Sequence, residues 1–338
     1  MKVTLREVAK QAGLSVTTVS RALNGHSDVA EGTKQAIRHV ADTLGYVPNL
    51  SARRLKMEKA DAIGLILPKE NLRFSDPFFS DLLSGIVEQS AEYGLELNIT
   101  TPLNTDKVEE MYLNYIRSRR VDGFILVRLE RDDPRVHLLQ KHNFPFVAFG
   151  RTQGKNNFAF VDEDSAQGIH QAVDHLVGLG HRRIAYIGEP KNLSKSHQRA
   201  VGYLNGLAAN NLPHDPELIF EGNFRQRSGR VGAHHLLALD QPPTAIVAAN
   251  DLIALGVISV AQERGLTVGK EVSVTGFDDI MLAEFVTPSL TTLHQPAYDM
   301  GVMMCKHLVT VINGEASSPP QTVLQPTLIK RNSTGKVH

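Results

Sequence analysis

The residues best suited to chemistry lie near the amino terminus, where Val16, Thr17 and Arg21 are flanked by Ser15, Ser20 and Asn24. On a helix, Val16, Thr17 and Arg21 point away from the face that carries Val19, Ala22 and Leu23, so they project together while the opposite face packs. An arginine donates two hydrogen bonds to a guanine edge, and the Val16 and Thr17 methyl groups can meet a thymine methyl; each good bidentate contact gives about 1–3 kcal/mol of discrimination. Ser15, Ser20 and Asn24 suit phosphate oxygens, which position a protein without specifying sequence. Such a set suits the reading of DNA, the alternative being a small helical domain with a solvated polar face.

Bond-making chemistry finds no comparable support. Gly150 to Asn156 superficially suggests a phosphate loop, but its spacer is one residue short and Asn156 replaces the Ser or Thr that would hold magnesium. There is no G-x-S-x-G elbow and no H-E-x-x-H pair. The 14 histidines are scattered, and the adjacent His234 and His235 fall on different helix faces. The single cysteine, Cys305, cannot form an internal disulfide or a paired-cysteine zinc site, and it reads as buried packing on a helix. No catalytic residue, cofactor or metal is expected.

The elements that would position the DNA readers are short helices. Leu5, Val8, Ala9 and Ala12 recur at helical spacing up to Gly13, Ser15 is placed to cap a second helix, and Ala36 to Leu44 form a third that stops at Gly45. Helix, glycine turn and helix is the layout whose second helix enters the major groove. The chain has 338 residues with 36 Lys+Arg against 36 Asp+Glu, yet residues 1–60 carry a net +5 and the remainder −5. That asymmetry points to phosphates at one end. Residues Asn49 to Met57 are basic and helix-permissive; Leu50 and Leu55 fit a minor-groove segment that orders only against its partner, the alternative being a charged linker.

From residue 62 apolar runs at Ala62–Leu67, Leu95–Thr100, Val121–Val127, Phe146–Phe149, Ile184–Ile187, Ala245–Ala248 and Val272–Thr275 alternate with helical patterns such as Leu82–Tyr93 and Ser165–Leu179. Alternation of this kind predicts parallel sheets covered by helices, and its length predicts two lobes with a ligand cleft between them. No apolar run is long enough to span a membrane and the start lacks a secretory core, so a cytoplasmic location is expected.

The stretch from Thr4 to Asn24 resembles the head of the LacI/GalR family of bacterial transcription repressors, and Gly45 to Pro48 through Asn49, Ala52, Arg53 and Leu55 is similar to that family's hinge. His175-Leu176, Leu179 to Ala185, Pro243 to Ala245, Asn250-Asp251, Val274 to Asp279 and Leu290 to Leu293 are similar to its body signatures. The resemblance implies an all-α helix-turn-helix head joined to an α/β, periplasmic-binding-protein-like body of two lobes. Expected domains are a head at 1–46, a hinge at 47–60, a first lobe at 61–162 and 291–321, and a second lobe at 163–290 and 322–338. It further implies that Val16, Thr17 and Arg21 contact bases, with Leu55 as the lever at the operator's centre, and that Asn49 and Arg53 join Ser15, Ser20 and Asn24 at phosphates. Ala30 departs from the Ser with which many members cap the third helix.

Family ligand positions map onto Phe79, Arg151, Arg199, Phe224, Asn250 and Asp278, a set suited to a polyhydroxylated molecule. Arg128 and Glu130 are weaker candidates. Phe149-Gly150-Arg151 stands where some purine- and galactoside-sensing relatives carry an acid; sugar-responsive members often carry a similar Gly-Arg pair, and this resemblance favours a sugar effector such as an α-glucoside or other oligosaccharide. The expected partners are a pseudo-palindromic operator in double-stranded DNA, a small-molecule effector and a second copy of the chain. The segment from Glu315 to His338 contains no leucine heptad of the kind that makes some relatives tetramers, so the resemblance implies a homodimer. Alternatives are a purine- or other metabolite-responsive regulator and a sugar-binding protein without a DNA function.

Overall fold

A computed structural model describes residues 3–46, 59–67, 76–102 and 107–337. The chain divides into two compact units, Met1–Ala60 and Asp61–His338.

In the first unit three helices form where the caps predict them: α1 (Leu5–Ala12), α2 (Val16–Leu23) and α3 (Glu31–Leu44). Thr4 and Glu7 close a reciprocal capping box on α1, and Gly13, with φ of 64°, takes the left-handed turn that releases the chain towards α2. Ala30 caps α3 without a side-chain bond. Val8, Ala9, Val19, Ala22, Val29, Ile37 and Ala41 form the core.

The second unit contains two parallel sheets. One has the strand order β11-β5-β4-β3-β1-β2, built from β1 (Ala62–Ile66), β2 (Glu96–Thr100), β3 (Gly123–Leu126), β4 (Phe146–Phe149), β5 (Ala159–Glu163) and β11 (Gln321–Leu324). The other has the order β7-β6-β8-β9, built from β6 (Ile184–Gly188), β7 (Ile219–Glu221), β8 (Ala245–Ala248) and β9 (Ser273–Thr275). A short antiparallel pair joins β10 (Thr292–His294), which follows β9, to β12 (Thr327–Ile329), which follows β11, and isolated bridges tie Thr291 to Thr275 and His294 to Asp278 beside the second sheet. All seven apolar runs become strands. The chain passes between lobes just after β5, between β10 and the next helix, and between β11 and β12. Strand β11 pairs with β5 as far as Leu324, and β10 reaches the second sheet through the His294–Asp278 bridge.

Helices cover both sheets: α4 (Pro77–Glu92), α5 (Val108–Arg117), α6 (Pro134–Lys141) and α12 (Ala297–Asn313) on the first; α7 (Ser165–Gly178), α8 (Ser194–Ala209), α9 (Gln226–Leu236), α10 (Asp251–Glu263) and the single turn α11 (Leu282–Phe285) on the second. Helix α4 begins five residues before the predicted Leu82, at Pro77, a residue suited to a first turn. Helices α4 and α12 pack backbone to backbone: a Cβ at Gly85 would collide with the Tyr298 carbonyl, and one at Gly301 with the Leu82 carbonyl. Gly229 and Gly256 do the same for α9 and α10. Cys305 is buried on α12 against Ser90. No helix among the described residues is long and apolar enough to cross a membrane.

Candidate functional site

Helix α2 presents its predicted readers outward, with Val16, Thr17 and Arg21 exposed while Val19 and Ala22 are buried. The Arg21 guanidinium lies 2.6 Å from the Asp28 carboxylate, and that contact holds the Asp28 carboxyl below the usual range. Both partners are about half exposed, so the pair is weak and exchangeable. The Ser15 hydroxyl accepts a hydrogen bond from the Thr18 N–H at 3.0 Å, and the Asn24 amide donates to the Ser20 carbonyl at 2.7 Å. Ser15 and Asn24 therefore also hold the two ends of the presenting helix. Asn49, Arg53 and Leu55 lie outside the described residues.

The body holds a cleft lined by residues of both lobes. Its walls come from the carboxyl ends of strands in both lobes, as open parallel sheets dictate. The first lobe supplies Asp76, Phe78, Phe79 and Leu82 around the start of α4, Val127 to Leu129 after β3, and Phe149 at the end of β4. The second supplies Glu189 after β6, Leu193, Lys195, Ser196 and Arg199 at the start of α8, Phe224, Asn250 after β8, and Asp278 after β9.

Arg199 is the electrostatic centre. Its guanidinium is 3.0 Å from Glu189 and 3.7 Å from both Glu163 and Asp278, donates to the Ala249 carbonyl at 2.8 Å, and lies over the Phe277 ring. Burial alone would lower its pKa; the surrounding carboxylates, Glu189 first, raise it instead, so it stays charged. Burial pushes Glu189 up, opposed mainly by Arg199, and pushes Asp278 well up. Asp278 accepts from the Gln295 amide at 2.6 Å and sits in left-handed backbone, with φ of 114°. Asn250 caps α10 through the Ile253 N–H at 2.9 Å. Three buried atoms on the cleft walls, Asp76 Oδ1, Arg128 Nη1 and Arg199 Nε, have no hydrogen-bond partner among the described residues.

Of the six sequence-derived ligand positions, five meet here: Phe79, Arg199, Phe224, Asn250 and Asp278. Arg151 does not line the cleft. Its Nε donates to the buried Asp162 carboxylate at 2.6 Å, which turns the guanidinium towards β5. Lys195 takes the place facing Phe149, its ammonium 4.0 Å from the ring and paired with Asp162 and Glu163. Of the two weaker candidates, Arg128 lines the cleft, whereas Glu130 forms a backbone bridge with Leu193 that joins the lobes at its rim. Sequence reasoning missed Asp76, Phe149, Glu189, Lys195 and Ser196. The rule that ligands sit at strand carboxyl ends points to Glu189, which directly follows β6. Nothing comparable marks Lys195.

Residues 4–49 match the family described as bacterial regulatory proteins, lacI family, and residues 173–334 match a periplasmic binding protein-like domain. The HTH-type transcriptional regulator CelR of Thermobifida fusca is 34% identical over 333 residues, which covers 98% of each chain. A solved complex of a transcriptional regulator CelR with cellobiose is similar with a TM-score of 0.76 at 33% identity, covering 98% of this chain and 100% of that one. The lac repressor dimer bound to operator and the anti-inducer ONPF is similar with a TM-score of 0.88 at 27% identity, covering 99% of this chain and 100% of that one.

Proposed function

The chain belongs to the lacI family of bacterial transcriptional regulators, and from that premise we propose that it is a repressor whose grip on operator DNA is set by a sugar held between the two lobes. Val16, Thr17 and Arg21 read base edges in this scheme, Ser15, Ser20 and Asn24 contact phosphates, and Asn49, Arg53 and Leu55 extend the contact into the minor groove. Reading two half-sites of a pseudo-palindrome requires two copies of the chain. The lac repressor structure is a dimer on its operator, and Met281 and Phe285, 74% and 71% exposed, give the second lobe an apolar patch suited to a second copy.

The observation that carries the sugar reading is the cleft's mixture of ring faces and buried polar groups with spare capacity. Phe79 and Phe224 offer flat surfaces, while Arg199 keeps an unpartnered Nε beside Asn250 and Asp278. A sugar has an apolar face and hydroxyls that both donate and accept, so it satisfies this wall where a plain hydrocarbon leaves it desolvated and unpaired. The CelR relative was solved with cellobiose, which favours an oligosaccharide. Sugar binding and operator binding must then be reciprocally linked.

A thermal-shift screen of sugars and purines on the full chain tests the effector; at 100 times its dissociation constant, a ligand adds about 2.7 kcal/mol. Stabilisation by sugars with a matching change in operator affinity supports the proposal. Stabilisation by purines alone overturns the sugar reading, and no salt-sensitive preference for any palindromic DNA overturns the regulator scheme.

A further inference from the structure

Arg128 and Asp76 face each other across the cleft wall without satisfying each other. The nearest approach, Arg128 Nη2 to Asp76 Oδ2, is 3.9 Å, which is beyond a hydrogen bond. Arg128 Nη1 and Asp76 Oδ1 are buried and have no partner among the described residues. Burial pushes the Asp76 carboxyl up and the Arg128 guanidinium down, as expected of charges that are imperfectly compensated.

Arg128 also sits in left-handed backbone, with φ of 54°, a conformation unfavourable for a side chain of its size and one that persists where the surroundings impose it. The imposing contacts are visible. The Arg128 carbonyl accepts from the Arg135 guanidinium at 3.1 Å, and the Arg128 guanidinium lies 4.1 Å from the ring centre of Phe224 in the other lobe. The residue is thus aimed across the lobe boundary with Nη1 left without a partner among the described residues.

A hydroxyl is the group that fits between these partners, because it accepts from a guanidinium and donates to a carboxylate at once. A ligand carboxylate or phosphate would accept from Arg128 but meet Asp76 as a like charge. An amine would satisfy Asp76 and repel Arg128, and an unprotonated ring nitrogen can serve Arg128 alone. We infer that the Arg128–Asp76 pair is the specificity-determining element of the cleft, selecting a neutral sugar hydroxyl and, through the Arg128–Phe224 stack, tying its recognition to closure of the lobes. This rests on the sugar reading proposed above.

The test is calorimetric titration of the full chain with cellobiose, maltose, their monodeoxy analogues and the corresponding uronic-acid disaccharides. It compares the wild type with Asp76→Asn and Arg128→Gly, the latter chosen because glycine accepts the left-handed backbone. For a disaccharide that binds the wild type, one monodeoxy analogue should bind roughly tenfold or more weakly, the loss expected for a hydrogen bond to a charged group. The same analogue should show a much smaller penalty in Asp76→Asn. Arg128→Gly should still melt cooperatively without sugar, yet bind the parent disaccharide at least about tenfold more weakly. Equal deoxy penalties in wild type and Asp76→Asn, undiminished binding by Arg128→Gly, or tighter binding of a uronic acid than of its neutral parent would each overturn the inference. Binding of none of these sugars by the wild type would instead overturn the sugar reading beneath it.

Discussion

Replacing Arg199 by Met preserves length and apolar stem but removes the guanidinium 3.0 Å from Glu189 and 3.7 Å from Glu163 and Asp278. The three carboxylates are not equally exposed to the loss. Glu163 keeps Lys195 and Asp278 keeps the Gln295 amide, whereas Glu189 keeps the Ser196 hydroxyl at 3.1 Å and the charge of Arg128, with which it forms no close ion pair among the described residues. Removing one partner of a buried pair costs about 3–5 kcal/mol when the other must stay charged. Protonation limits that cost. Holding a glutamate protonated costs about 1.4 kcal/mol for each pH unit above its ordinary pKa of about 4.3, hence about 4 kcal/mol at pH 7.5 and under 2 at pH 5.5.

The sign follows from Glu189's raised folded pKa: the stability deficit is absent below the unfolded pKa and grows as pH rises towards the folded one. At roughly 2–4 °C per kcal/mol for a body of this size, Arg199→Met should melt about 10 °C lower at pH 7.5 and about half as far below the wild type at pH 5.5. Scanning calorimetry of the full chain, following the transition of the larger unit, measures both gaps. A gap under about 2 °C at pH 7.5, or one that does not narrow on acidification, would refute the assignment of Arg199 as the charge that holds these carboxylates.

Other outcomes follow from the same geometry. Arg21→Ala should lower affinity for the cognate operator by about 1–3 kcal/mol and for random DNA far less; equal losses in a gel-shift titration would remove Arg21 from base reading. Asp251, whose burial pushes it up to about 7, accepts from Thr292 and from the Ile280 N–H at 2.8 Å, so wild-type stability should fall as pH rises from about 4 through 7. Asp251→Asn should flatten that slope, and an unchanged slope in melts across this range assigns it elsewhere. Gly85→Ala forces a methyl group into the Tyr298 carbonyl and should destabilise the larger unit by about 1–3 kcal/mol; a neutral effect in denaturant titration would mean that α4 and α12 separate freely. Phe285→Glu should shift the sedimentation mass from two chains towards one, and an unchanged dimer would place the interface off this patch.

Much of the fold is legible because β1, β3, β4, β6, β8 and β9 are buried on both faces and read as largely apolar runs. Strand β5 escapes that reading because it ends in Asp162 and Glu163, fully buried acids whose cations, Arg151, Lys195 and Arg199, stand elsewhere in the chain. Strands β10 and β12 are three residues each, too short to show a period. In the cleft, Asn250 and Asp278 could be found because strand ends and recognisable signatures mark them. Arg151 falls outside the cleft lining for the reason that hides β5: its side chain answers to Asp162, a partner that position in the sequence does not announce as buried. Lys195 follows from the same fact, since a lysine on an amphipathic helix reads as solvated until the acids beneath it are known.

The glycine contacts between α4 and α12 and between α9 and α10 leave no cushion of side chains between those helices. Where a carbonyl of one helix rests against a glycine of the other, sliding one past the other meets hard repulsion within a fraction of an ångström, whereas a layer of leucines would yield. The helical layers so joined behave as stiff plates, and compliance is left to the three short strips of chain that pass between the lobes. A displacement begun at the cleft is then carried through the length of a lobe as leverage, with little of it absorbed as internal shear.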